Sequence, residues 1–349
     1  MFCVKNGFSM LLWFYWVLVV SALAEDLSLG HRVLDHFNID PNYSNVNHGS
    51  YGAVPKVVTS KWLEWELLME RNPDQFLRYD VYGLMNAVRD TMANYLKTNS
   101  SNLVFVPNAS NGVNAVFRSI TVPKGRKILY LNIAYDMVKN TFQYISNVSH
   151  EDVMMVNISL PTSAEKILAK VEQALKTNDI HIASFSHIAS TPAIVLPIQQ
   201  LASLCHKYGS LIFVDGAHSL GQIPLNLDEL KVDFWVGNGH KWLFSPKGSA
   251  VLYVSPHNQV LVEPTAINWE GQGITHFQAA FSYTGTTSYS AYLAMAEALA
   301  FREYLGGDKV IMEYMHTLAI SVAGHVSEIW STEPLHSDES MYAAMVVSS

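Results

Sequence analysis

Short strand-forming runs alternate with longer helical patterns along this chain, and the alternation predicts an α/β fold built on a mostly parallel sheet. Leu211 to Val214 is apolar, rich in strand formers, and closes on Asp215. A run of that length and composition is a strand buried on both faces. Asp233 to Gly237 is a second such run and ends just before His240 and Lys241. Helical stretches of crossover length separate the strand candidates, as βαβ units require. Ligands of open α/β sheets sit at the carboxyl ends of strands. Two strand ends here deliver an acid and an amine.

The chain has 349 residues, 49% of them hydrophobic and 15% charged, enough for a large domain plus a smaller one. The net charge of -8 is spread thinly, and no basic cluster points to nucleic acid. An anionic cofactor remains compatible, because a phosphate site needs backbone amides more than net charge. Lys5, the apolar run Phe8 to Ala24 and Ala22-Leu23-Ala24 before Glu25-Asp26 predict a cleaved secretory signal peptide over 1–24. That implies a secreted or lumenal chain with no membrane segment after cleavage. The alternative is a single uncleaved anchor, since about 17 apolar residues lie near the lower limit for a spanning helix. Of the two cysteines, Cys3 lies in the signal segment and Cys205 remains, so no internal disulfide is expected. Glycan acceptor sequences occur at Asn42, Asn99, Asn108, Asn147 and Asn157 and matter only on a secretory route.

Taken in order, Glu25 to Asp40 reads as an N-terminal arm, and Val46 to Pro55, with Gly49, Gly52 and Pro55, as a loop. Lys56 to Arg71 is helical, with Val58, Trp62, Trp65 and Leu68 at helix spacing, and Asn72-Pro73 ends it. Val81 to Leu96 is a second helix with Leu84, Val88, Met92 and Leu96 four apart; such stripes are core or a subunit interface. Leu103 to Val106 is a strand running into a helix for which Ser110 is the expected N-cap. Lys127 to Asn132, Asp152 to Ile158, His181 to His187 and Gly248 to Val254 are further strands. Thr162 to Leu175 is an amphipathic helix, and Leu196 to Tyr208 is the crossover into the Asp215 strand. Ile267 to Phe277 reads as loop, and Tyr289 to Tyr304 and Lys309 to Trp330 as helices split by Gly306-Gly307. Met341 to Ser348 reads as the first strand of a small C-terminal domain. The expected division is signal 1–24, arm and pocket loop 25–60, cofactor-binding large domain 61–290, and linking helices with a truncated small domain 291–349.

A plain ion pair is the simplest use of Asp215 and Lys241. It leaves unexplained the glycines around both charges, Gly216, Gly221, Gly237 and Gly239, which suit close approach of backbone to a ligand. Pyridoxal 5'-phosphate (PLP) uses both groups: an amine for its aldehyde and a carboxylate for its ring nitrogen. The His and Asp residues offer no cysteine pairing or further carboxylate for a metal, so no metal is expected.

Asp215-Gly-Ala-His-Ser-Leu-Gly, then Asp233-x-x-x-Gly-Asn-Gly-His-Lys-Trp, then Pro246-Lys-Gly-Ser-Ala-Val-Leu-Tyr-Val resembles the class V aminotransferase signature. The resemblance is strongest to the isopenicillin N epimerase-like branch, which includes C–S lyases of ergothioneine synthesis, and it runs from about Val46 onward. It implies a PLP-dependent transferase fold of type I. That fold has a three-layer α/β/α large domain, here with a partial small α/β C-terminal domain, and forms a homodimer with a shared cofactor site.

The resemblance also implies roles. Lys241 forms the Schiff base and is the general base, and Asp215 holds the ring nitrogen. Ser110, Asn111, His240 and a neighbouring copy's Thr286 hold the phosphate. Tyr135 or His218 stacks on the ring, His218 alternatively touching its hydroxyl, and His187 approaches that hydroxyl. Asn47, His48 and Ser50 line the substrate pocket. A glycan at Asn108 would collide with this loop. The substrate is an amino acid, and C–S lyase, epimerase and transaminase chemistry all remain open. Cys205 falls in the crossover helix, which disfavours persulfide chemistry.

Two departures stand out. Relatives often carry Gly-Thr-Arg-Asp where this chain has Gly-Thr-Thr-Ser at 285–288. Relatives also clamp the substrate carboxylate with a later Arg, whereas no Arg follows Arg302, whose expected role is surface pairing on its helix. These departures keep open an alternative: a truncated, catalytically impaired chain serving as a secreted binding module.

Overall fold

The computed structural model describes residues 29–269, 271–273, 275–333 and 338–346. The expected signal peptide, and the rival anchor on the same segment, lie outside the described residues. Among the described residues no helix is long and apolar enough to cross a membrane.

Seven strands form one sheet: β1 Leu103–Val106, β2 Lys127–Leu131, β3 Asp152–Val156, β4 Ile180–Ser186, β5 Leu211–Asp215, β6 Phe234–Asn238 and β7 Ala250–Val254. Their order is β1-β7-β6-β5-β4-β2-β3. The pairs among β3, β2, β4, β5 and β6 are parallel, and β7 runs antiparallel to both β6 and β1. The carboxyl ends of β1, β2, β4, β5 and β6 therefore share one edge of the sheet. The longer helices are α1 Lys56–Arg71, α2 Val81–Leu96, α3 Ala109–Ser119, α4 Asp136–Ser149, α5 Ala164–Thr177, α6 Ile198–Lys207, α7 Met295–Tyr304 and α8 Gly307–Trp330.

Strand alternation divides the core into two layers. Ile212 and Val214 of β5 pack with Trp235, Leu129 and Leu131 against Met92 and Leu96 of α2, Val171 of α5 and Leu201 of α6. Phe213 points the other way and packs with Phe234, Val236 and Ile182 against Val113 and Phe117 of α3 and Phe142 of α4. The result is the three-layer α/β/α architecture expected from the buried apolar runs.

Several boundaries differ from the sequence expectation. Asn108, not Ser110, caps α3, because its side-chain oxygen accepts the Asn111 N–H. The helical path resumes after Asn72, as Pro73–Gln75 and a π turn over Phe76–Asp80, because Asn72 caps the new turn. The 267–277 loop ends early, in a short helix His276–Ser282 capped by Thr275. Residues 341–346 form no strand. A 3-10 turn over Glu339–Met341 ends there, and Met341 O and Ala344 N are taken by Val195 N and the Gln222 side chain.

Arg302 departs furthest from expectation. It is fully buried rather than paired on a surface. Its guanidinium donates to Trp242 O at 2.8 Å, to Gly221 O at 3.0 Å and to the Asp308 carboxylate. The Tyr95 hydroxyl shares that carboxylate. One side chain on α7 thus ties together the turns that follow β5 and β6. Replacing Arg302 by Met strands two carbonyls and a carboxylate, and urea titration should show a loss of about 3–5 kcal/mol. A loss of about 0–1 kcal/mol, the range of an exposed ion pair, would return the residue to a surface role.

Candidate active site

The shared strand edge opens into a cavity of about 910 Å³. Asn108 and Ser110 follow β1, Tyr135 follows β2, and Ser186 ends β4. Asp215 ends β5, with Ala217 and His218 just beyond, and Asn238, His240 and Lys241 follow β6. The pocket loop adds Asn47, His48 and Ser50. The far wall is apolar, with Met315, Leu318, Ala319 and Val322 of α8 and Met345 and Val346 beyond.

Asp215 is 6% exposed, and its Oδ1 accepts the Ala217 N–H at 3.0 Å. Burial raises its carboxyl above the usual range, while the Ala217 amide and Lys241 pull it back down. Burial likewise lowers Lys241, with Asp215 opposing. Both shifts run toward the uncharged forms. The Lys241 Nζ lies 3.0 Å from His218 Nε2. Burial, reinforced by Lys241, drops His218 to about 3.

Ser110 lies between two engaged amides, Ala109 N on Asn238 Oδ1 and Asn111 N on Asn108 Oδ1. Asn111 is not among the cavity-lining residues, because α3 turns it away while its amide is held by the cap. His240 lines the cavity, but its Nδ1–H donates to Ser249 O at 3.0 Å. It could therefore donate to an anion only when its Nε2 is also protonated. His48 uses Nε2 on Lys241 O at 3.0 Å and Nδ1 on Ala53 N, and its ring lies 5.1 Å from the Trp242 ring. It anchors the pocket loop to the lysine turn. His187 is buried with Nδ1 unpartnered and does not line the cavity. Its amide donates to Asp215 O, which places it behind the strand end. Thr286 lies on an exposed loop with its hydroxyl 2.9 Å from that of Tyr283, outside the cavity of its own chain.

The glycine reading is corrected. A Cβ on Gly216 or Gly237 would strike the buried Trp235 indole, and one on Gly221 the backbone of Trp242 and Leu243. A Cβ on Gly239 would meet Met295. These glycines admit neighbouring protein atoms, not a ligand. Cys205 is fully buried on α6, and burial pushes its thiol up to about 12. Sequence reasoning missed Asn238, Ser186 and Trp242. Asn238 and Trp242 sit inside the quoted Gly-Asn-Gly-His-Lys-Trp string and could have been found by asking what each side chain bonds.

Among solved structures, a mutant of the protein C-DES with glycine covalently linked to its PLP cofactor superimposes with a TM-score of 0.77. The match covers 88% of this chain and 83% of that one at 18% identity, and it places the chain in the PLP-dependent fold type I. Hercynylcysteine sulfoxide lyase of Schizosaccharomyces pombe is 30% identical over 314 residues, 88% of this chain and 80% of that protein. An isopenicillin N epimerase of Streptomyces clavuligerus is 26% identical over 77% of this chain and 71% of its own length. The family profile described as aminotransferase class-V matches residues 70–348. The chain belongs to the class-V aminotransferase family.

The buried histidines set a pH dependence. Burial holds His48, His187 and His240 at about 4 and His218 at about 3. The unfolded chain takes up these protons from about pH 6.5 downward, and the native chain does so only near its lower values. Stability is therefore present above the unfolded value and lost as pH falls through that window; the raised Asp215 works the other way. Denaturant midpoints measured against pH should fall between about pH 6.5 and about pH 4, less steeply in His187→Asn. A flat profile across that window would contradict the burial of these rings.

Proposed function

We propose that this chain is a PLP-dependent enzyme acting on an amino acid, with C–S bond cleavage as its reaction. The observation that carries the reading is the convergence of Asp215 and Lys241, from the ends of neighbouring parallel strands, on one cavity with Lys241 Nζ 3.0 Å from His218 Nε2. Family membership makes PLP the cofactor. The residues present fit it. A buried carboxylate with one oxygen held by Ala217 suits a ring N–H, and an amine of lowered pKa suits an aldehyde. Ser110 at the first turn of α3 suits a phosphate.

When bound, PLP supplies an electron sink for the bonds at the substrate's α-carbon. Asp215 keeps the proton on the ring nitrogen, and its burial leaves little water to compete. Lys241 would hold the cofactor through its Nζ and is placed to take the substrate's α-proton at that atom. His218 orients Nζ. Tyr135, at the cavity wall, would cover one face of the ring. Ser110 and, after protonation, His240 hold the phosphate, and Thr286 would complete the site from a second copy in a homodimer. Asn47 and Ser50 meet the substrate beside the apolar wall of α8. The similarity to the Schizosaccharomyces pombe lyase supports C–S cleavage. The buried Cys205 supports a route without a protein persulfide.

The chain mixed with PLP should develop a visible absorbance band that borohydride removes while fixing the cofactor mass on the Lys241 peptide. S-substituted cysteines should then release thiol and a keto acid. Lys241→Ala should lack the band and lose at least about 100-fold in turnover. A folded, colourless protein in the presence of PLP would instead favour the non-catalytic binding module.

A further inference from the structure

We infer that Trp242 is a positioning residue: its indole N–H fixes the tautomer of His218, so that His218 presents Nε2–H to Lys241 and holds that lysine as the uncharged amine. The catalytic meaning of this arrangement rests on the function proposed above; its geometry does not.

Trp242 Nε1 lies 3.4 Å from His218 Nδ1. An indole nitrogen can only donate, so His218 Nδ1 is the acceptor and carries no proton. His218 is 8% exposed, and burial is the main cause that keeps its ring neutral. A neutral imidazole has one ring proton, and with Nδ1 occupied as acceptor that proton sits on Nε2. Nε2 is 3.0 Å from Lys241 Nζ. A hydrogen directed at Nζ requires a lone pair there, which the amine has and the ammonium lacks. A single donor direction therefore runs from indole to imidazole to amine.

The surrounding charges explain why this matters. Asp215, from β5, is the group that favours ammonium at Lys241. His240, on the lysine's own turn, and His48, from the pocket loop, are held neutral by burial. Lys247 acts on both of those rings, and Arg302 acts on His48. Burial disfavours the Lys241 ammonium against Asp215, and a proton directed at Nζ from His218 acts in the same sense as burial. The amine is the form that can attack a carbonyl carbon. Trp242 is itself held rigidly: its indole is buried and packs on His48, and its backbone carbonyl accepts from Arg302.

The test uses the full chain before PLP is added. Reductive methylation with isotope-labelled formaldehyde, read at the Lys241 peptide by mass spectrometry, is followed from neutral to alkaline pH in the natural chain and in Trp242→Phe. The phenyl ring keeps much of the packing but has no N–H. His218 is then free to carry its proton on Nδ1 and accept from an ammonium at Nε2. The midpoint for Lys241 should rise by about one pH unit, with methylation at neutral pH slowed about tenfold. Superimposable profiles would overturn the inference. If the variant does not fold, nitrogen NMR of labelled histidine in the natural chain reads the tautomer directly. A His218 proton on Nε2 supports the inference, and one on Nδ1 overturns it. A shifted methylation profile in a chain that fails to capture PLP would sink the proposed function and leave this inference standing.

Discussion

The buried guanidinium of Arg302 is the contact on which the site's geometry depends. Asp215 and Lys241 leave the sheet on different strands, and the loops that follow have no ladder to hold them. Arg302 donates to Gly221 O on one loop and Trp242 O on the other, while Asp308 and the Tyr95 hydroxyl hold it from behind. A buried charge is tolerable only when its donors are satisfied, and this one is satisfied by the carbonyls it needs to fix. Helix α7 thus acts on the chemistry through Arg302, while α8 also lines the cavity.

A second constraint is steric. Trp235 is fully buried on β6, and Gly216 and Gly237 lie against its indole so closely that neither has room for a Cβ. The indole nitrogen has no hydrogen-bond partner there. Its burial is therefore sustained by packing alone, since an unpaired N–H costs stability. The ring thereby packs β6 closely against the turn that follows Asp215. The glycines serve that packing.

Burial then sets the charge state. Desolvation pushes Asp215 up, Lys241 down and the surrounding imidazoles down. Burial thus works against fixed charge throughout the site. A cationic ring beside Asp215 and an anionic phosphate beside Ser110 and His240 would each supply a counter-charge to these groups. His48 joins the pocket loop to the lysine turn through the Lys241 carbonyl, and Trp242 joins that turn to the loop after β5 through the His218 ring.

By itself the sequence determined the layered α/β fold, several strand ends and the acid–amine pair, because strand runs, helical period and an ordered motif are local properties. The bounds of α1, α2 and β5 were legible to the residue for that reason. Only the tertiary structure decided what each side chain near the motif does. Arg302 looked like a surface residue because its partners lie 60 and 81 positions away. His48 lines the cavity as expected, and its ring also takes on a second task at a carbonyl 193 positions on. Asn108 took the cap expected of Ser110, and the 341–346 segment gave its backbone groups to Val195 and Gln222 instead of to a sheet. Hydrogen-bond partners across a cavity are set by where the folded chain places them, and that placement has no period along the sequence.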